Sequence, residues 1–145
     1  MSGVVQAGHV LAVATRGKGF VEITRELADW LSSIAAEDGL LTVFVQHTSA
    51  SLTVQENADP NVRRDLLDTL EQLAPEDRPY AHNEEGPDDM PSHIKAMLTA
   101  VSLSIPVKDG SMTLGTWQGV YLIEHRTAPH RRNIVLSFIG EAAEA

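Results

Sequence analysis

Leu40-Leu41-Thr42-Val43-Phe44-Val45-Gln46-His47-Thr48-Ser49-Ala50-Ser51-Leu52-Thr53-Val54-Gln55-Glu56 is the stretch whose reading decides the fold. Two β-rich runs, Leu40–His47 and Leu52–Glu56, flank the small polar residues Thr48 to Ser51, which predicts a pair of strands. Successive strand side chains point to opposite faces, so His47 shares a face with Leu41, Val43 and Val45. Glu56 shares one with Leu52 and Val54. An ionisable group at the end of an apolar face is costly unless it is paired, bound to metal, or already past the buried part of the strand. His47 and Glu56 are therefore site candidates, with solvated strand ends as the plain alternative.

Working outward, His9–Thr15 and Phe20–Ile23 flank Arg16-Gly17-Lys18-Gly19, a turn suited to a hairpin. Later strands are predicted at Val101–Val107, Met112–Leu114, Gly119–Glu124 and Ile134–Ile139, with Asp109-Gly110 as a turn. In the third of these, Glu124 shares a face with Val120 and Leu122, although the opposite face is apolar too. Thr24 is a candidate cap for a helix reaching Ala36, with Leu27, Trp30, Leu31 and Ile34 on one stripe and Gly39 as its stop. Asp59-Pro60 opens a second helix carrying Val62, Leu66, Leu70 and Leu73, and a shorter one starts near Ser92. Strand pairs interleaved with two or three helices predict an α+β fold of mostly antiparallel sheets, in one domain spanning residues 1–145.

Composition narrows the function. The chain has 11 Lys and Arg against 20 Asp and Glu, a net charge of −9, which repels phosphate backbones and anionic membranes. Nucleic-acid and membrane partners are therefore not expected. No apolar run approaches the ~20 residues that cross a bilayer, and Met1 to Gly8 has no basic region followed by an apolar core. A soluble, cytoplasmic protein is the expectation. Without cysteine there is no disulfide, thiolate nucleophile or iron–sulfur ligand, so a metal must be held by His, Asp or Glu.

Leu73–Pro91 differs from the rest, with four prolines and the acids Glu84, Glu85, Asp88 and Asp89 around Gly86. It is predicted to be a long ordered loop. His82 and His93 bracket those acids, a donor set suited to zinc, manganese or iron, although the spacing fits no compact ligand motif. Arg126, His130, Arg131 and Arg132 form a cationic cluster able to grip phosphate, or simply a solvated turn. Ser49 and Ser51 lie near His47 but belong to no nucleophile elbow.

The blocks His47-Thr48-Ser49-Ala50-Ser51-Leu52, Glu56-Asn57-Ala58-Asp59-Pro60, Pro91-Ser92-His93-Ile94-Lys95 and Gly115-Thr116-Trp117-Gln118 resemble the YjbQ family, UPF0047. The resemblance covers about Phe20 to Gly140. It implies a β-sandwich-like, YjbQ-like α+β fold, a homotrimer, and a site near the subunit junctions. Carried over by position, the site would use Glu56, Asn57, Asp59 and Glu124 in catalysis and His47, His82 and His93 on a divalent metal, zinc or magnesium. Trp117 and Gln118, also carried over by position, with Arg126 and Arg132 of the cationic cluster, would bind a small phosphorylated metabolite, and Glu56, Asp88 or Asp89 is an alternative holder of the metal. The activity implied is a secondary thiamine-phosphate synthase, joining a hydroxymethylpyrimidine pyrophosphate to a thiazole phosphate with loss of pyrophosphate. Tyr80 is an alternative to Trp117 for stacking the pyrimidine. Metal-dependent hydrolysis is the second reading, and a non-catalytic trimeric binder of an anionic metabolite is the third.

Overall fold

The computed structural model describes residues 3–144, so Met1, Ser2 and Ala145 of the expected 1–145 domain lie outside it. Its elements are β1 (Val4–Ala14), β2 (Gly19–Glu22), α1 (Thr24–Ser33), β3 (Ala36–Val45), β4 (Ala50–Glu56), α2 (Pro60–Leu73) and α3 (Asp89–Leu98). These are followed by β5 (Ser102–Lys108), β6 (Ser111–Met112), β7 (Gln118–Glu124) and β8 (Arg131–Ala142). The α+β class and the antiparallel sheets are as predicted. A five-stranded sheet has the order β1-β8-β3-β5-β6, and a three-stranded sheet the order β2-β7-β4.

The two layers enclose one core. Leu41, Val43 and Val45 of β3 and Ile134, Leu136 and Phe138 of β8 are buried in one cluster with Leu52, Val120 and Leu122 of the smaller sheet. Leu27 and Leu31 of α1 join them. Burying one such side chain contributes about 1.5–3 kcal/mol before entropy is counted. Strand β7 is central in its sheet and buried on both faces from Gly119 to Glu124.

Pairing differs from expectation at both early hairpins. Strands β1 and β2 do not pair with each other, nor do β3 and β4; in each case the chain leaves the larger sheet and enters the smaller. After Val45 the ladder ends: the Gln46 amide donates to the Asn133 carbonyl (3.2 Å), the Asn133 amide goes instead to the His47 ring, and the chain crosses to the other layer. Only the Asp109-Gly110 turn forms the tight hairpin its chemistry specifies: φ is 50° and 81° there, and Lys108 pairs with Ser111.

Helix α1 stops at Ser33 rather than Ala36, because Ala35 takes φ 54° and Ala36 already begins β3. Gly39 is therefore no helix stop. It lies where β3 crosses β8, and a Cβ there would stand 2.5 Å from the Ile139 carbonyl oxygen. Thr24 is the first helical residue, and its Oγ1 accepts from the Val120 amide (2.8 Å) instead of capping the helix. Asp59 caps α2 as predicted, accepting from the Asn61 amide at 2.9 Å. Among the described residues no helix is long and apolar enough to cross a membrane.

Candidate metal centre

Helix α3 begins at Asp89, three residues before the predicted Ser92, with Pro91 inside its first turn. Proline is tolerated there because the first amides of a helix have no intrahelical acceptor. The early start places Asp89 and His93 one turn apart on the same face. His93 Nε2 lies 3.4 Å from Asp89 Oδ2. The loop from residue 74 to 88 folds back on itself, with the Tyr80 hydroxyl donating to the Pro75 carbonyl (2.7 Å), and it delivers His82. His82 Nε2 donates to the same Asp89 Oδ2 at 2.6 Å, and Glu85 Oε2 is 3.2 Å from that nitrogen.

These three residues meet the chemistry of a metal site. Their donor atoms lie within 4.8 Å of one another. Tetrahedral zinc with ~2.05 Å bonds separates its ligand atoms by about 3.3 Å; Asp89 and His93 already stand at that spacing, and His82 needs only to open its hydrogen bond to Asp89. The Nδ1–H of His93 donates to the Thr48 carbonyl (3.1 Å), which fixes the tautomer and leaves the Nε2 lone pair for a ligand. Two imidazoles and a carboxylate suit zinc, manganese or iron better than magnesium.

Arg126, just beyond β7, holds the acidic side of this cluster. It donates through Nη1 to Asp89 Oδ1, through Nε to Asp88 Oδ2 and through Nη2 to the Glu85 carbonyl, each at 2.9 Å. Burial alone would raise the Asp88 carboxyl, but the Arg126 guanidinium and the Thr127 amide bring it down to about 2. Asp88 and Asp89 are thus buried and bonded, whereas Glu84 and Glu85 are exposed.

His93 also forms part of the wall of a broad groove of about 740 Å³, lined by Phe44, His47, Thr48, Ser49, Met97 and Val101. On the far side of His82 is a smaller pocket of about 310 Å³, with Arg78, Tyr80, Asn83 and Met90 in its wall.

A family model described as "UPF0047 protein YjbQ-like" matches residues 9–141. The chain belongs to the YjbQ-like UPF0047 family. It is 47% identical to a UPF0047 protein of Synechocystis over 137 residues, 94% of this chain and 93% of that one. It is 45% identical to the YjbQ protein of Salmonella typhimurium, covering 92% of this chain and 97% of that one. A crystal structure of a conserved hypothetical protein from Thermus thermophilus superposes with a TM-score of 0.78 at 40% identity, over 88% of this chain and 97% of that one. A YbjQ-like protein of unknown function from Sulfolobus solfataricus gives 0.88 at 21% identity, over 96% and 100%, and supports the fold alone.

In this YjbQ-like chain the expected site residues fall into two groups. His82 and His93 meet, but His47 does not join them. Its Nε2 accepts the Asn133 amide at 2.8 Å, so Nδ1 carries the proton of the neutral ring and no lone pair is left for a metal. Burial and the nearby Arg132 charge both push His47 below its ordinary pKa. Asp89 stands with His82 and His93 instead. Asp89 is one of the acids that His82 and His93 bracket in the sequence; the Asp-x-x-x-His spacing that singles it out from Glu84, Glu85 and Asp88 was hidden by placing the helix start at Ser92.

Glu124 and Arg132 face inward rather than toward a ligand. Arg132 Nε donates to Glu124 Oε1 (2.8 Å), its Nη2 bonds Glu124 Oε2, and it reaches Ser49 Oγ at 3.0 Å. Thr15 Oγ1 adds a donor at 2.6 Å. Burial would raise the Glu124 carboxyl, yet these donors hold it below its ordinary value. Both residues tie the ends of four strands together and are buried.

Glu56, Asn57, Asp59, Trp117 and Gln118 lie at the other end of the small sheet. Strands β4 and β7 pair Glu56 with Gln118 at that end and Ala50 with Glu124 at this one. Six residue steps at ~3.3 Å separate the two ends by roughly 20 Å. There, Glu56 Oε2 accepts the Asp59 amide (3.1 Å), Asn57 Nδ2 donates to Glu22 (3.3 Å), and Trp117 is 64% exposed. Sequence reasoning also missed His125, a buried residue whose Nε2 is 2.8 Å from Ser51 Oγ. Ser51 is itself fully buried, so this pair has no access for a substrate.

Proposed function

We propose that the chain is a metal-dependent hydrolase acting on a small metabolite, with a transition metal held by His82, Asp89 and His93. The observation that carries this reading is the convergence of those three donors at the start of α3. When bound, the ion supplies Lewis-acid polarisation of a carbonyl or phosphoryl oxygen. The chain's own part is to present the donors and to move a proton. Glu85, exposed at the rim and 3.2 Å from His82, is placed to accept the proton of an attacking water. The groove beside His93 supplies apolar surface for the body of the substrate.

The transferase reading implied by the resemblance has a narrower support. The guanidiniums expected to grip phosphate, on Arg126 and Arg132, are engaged with Asp88, Asp89 and Glu124. Arg78 and Tyr80 share a pocket with His82, however, and would give that reaction a cation and a stacking wall.

We also propose assembly as a homotrimer. The outer face of the five-stranded sheet carries Val10, Leu40, Phe44 and Ile139, which are 38–53% exposed, and Thr42 and Ser137 between them. The middle of this face is uncharged, with Arg131, Lys108 and Glu141 only at its ends, and such a patch favours burial against another subunit.

The test is to prepare metal-free protein, restore zinc, manganese or magnesium in turn, and assay ester, amide and phosphoester hydrolysis beside Asp89→Asn. The same preparations receive the pyrimidine pyrophosphate and thiazole phosphate. Zinc- or manganese-dependent hydrolysis lost in the variant supports the first reading. Magnesium-dependent thiamine phosphate formation without hydrolysis replaces it with the second, and ligand binding without turnover by either route leaves the non-catalytic binder.

A further inference from the structure

We infer that Arg126 is the positioning residue of the metal centre, fixing Asp89 so that it offers a single oxygen to the ion. This rests on the reading that His82, Asp89 and His93 hold that ion. A free carboxylate can bind a cation through one oxygen or both, and can rotate between the two. Here Arg126 Nη1 occupies Oδ1 at 2.9 Å, while Oδ2 faces His82 and His93. The guanidinium is itself fixed at two other points, Asp88 Oδ2 and the Glu85 carbonyl, so its plane cannot follow Asp89 if that side chain turns.

The consequence is chemical. With Oδ1 committed, the protein supplies three donor atoms, and a four-coordinate ion keeps one position for substrate or water. Were both oxygens free, the carboxylate could close that position. A guanidinium is needed because its planar fork serves three acceptors in different directions, which a lysine ammonium on one flexible stem does not reproduce. Arg126 thereby acts through Asp89 and touches no reacting atom.

The experiment loads the full chain with Co²⁺, whose visible absorption reports coordination number, and measures affinity by competition with a chelator. Wild type, Arg126→Gln, Arg126→Lys, Asp88→Asn and Asp89→Asn are compared, with thermal unfolding of each metal-free protein. Arg126→Gln is expected to weaken Co²⁺ binding about 10–100-fold, the usual cost of losing a partner of a ligand, and to lower the visible band toward higher coordination. Arg126→Lys should not restore that band. Asp88→Asn removes the charge of this loop anchor but keeps an oxygen that accepts from Arg126 Nε and the Thr127 amide, so the guanidinium plane stays held; it should lower the melting temperature and leave the band as in wild type.

Wild-type affinity and spectrum in Arg126→Gln would overturn the positioning role while leaving the metal centre standing. An Asp88→Asn spectrum altered as much as that of Arg126→Gln would also overturn it, since the effect would then come from loosening the loop. Failure of wild type to bind Co²⁺ more tightly than Asp89→Asn would remove the metal centre itself, and the role of Arg126 with it.

Discussion

Asp89 and His93 stand one helical turn apart on α3, with Oδ2 and Nε2 3.4 Å from each other and the Thr48 carbonyl behind the imidazole at 3.1 Å. The pair is preorganised from two sides, by Arg126 on the carboxylate and by the β3–β4 crossing on the ring. That arrangement separates the candidate ligands His82 and His93 from His47. Asp89→Asn and His93→Ala are each expected to lower zinc affinity by at least about tenfold. His47→Gln should leave metal content unchanged, because Nε2 of His47 is already bonded to the Asn133 amide. Metal analysis of the three variants after dialysis against a weak chelator checks this. Loss of zinc in His47→Gln would return that residue to the ligand set.

The same geometry explains what could be read from the sequence. Period-two alternation located the strands of both sheets, because it reports which side chains are buried. It does not report which sheet a strand joins. The crossings after Ala14 and Val45 are decided by how two layers pack, so both expected hairpins failed. Asp109-Gly110 was legible as a true hairpin because its two residues carry the required positive φ by themselves. His82 and His93 were legible as donors bracketing an acidic loop. Asp89 was legible as one of those acids, but what sets it apart from its neighbours was obscured by Pro91, which reads as a break although the first turn accepts it. The cations Arg126 and Arg132 were visible as a cluster, but the acids that hold Arg126 lie 37 and 38 residues away, beyond any local pattern.

Glu124 and Arg132 give a prediction about stability. The pair is buried, and Glu124 has no solvent exposure. Removing one member of a buried ion pair leaves the other charge uncompensated, at a cost of about 3–5 kcal/mol. Glu124→Gln should therefore lose stability of that order in urea unfolding at pH 7, with the m-value unchanged. A loss below about 1 kcal/mol, the ordinary value of an exposed pair, would show that Glu124 is not held in this network.

The outer sheet face predicts how the chain associates. Phe44 sits at its centre strand, 44% exposed, opposite Val135 on β8 and Ser102 on β5. Phe44→Glu places a charge there without touching the core residues Val43 and Val45 on the opposite face. Light scattering should give a trimer mass for wild type and a monomer for the variant, with circular dichroism unchanged. A monomeric wild type at micromolar concentration would remove the homotrimer from the proposal.

His125 predicts a pH dependence with a defined window. Burial, reinforced by the charge of Lys95, pushes its imidazole down to about 4 from an ordinary 6.5. The unfolded chain therefore takes up the proton first as pH falls, and uptake favours unfolding. The stability due to neutral His125 is complete above about 6.5, declines through the interval, and is gone below about 4. A displacement of that size corresponds to roughly 3 kcal/mol. Asp88 contributes with the same sign in a lower window, from its ordinary 3.8 down to about 2, so the two effects separate along the pH axis. Urea unfolding at intervals between pH 7 and 4.5 should show wild type losing stability, while His125→Gln has a flatter profile over that range. Because Gln can keep a hydrogen bond to Ser51 Oγ, the variant removes the titration more than the contact. Parallel profiles for the two proteins would mean that His125 takes up its proton as readily in the folded chain as in the unfolded one.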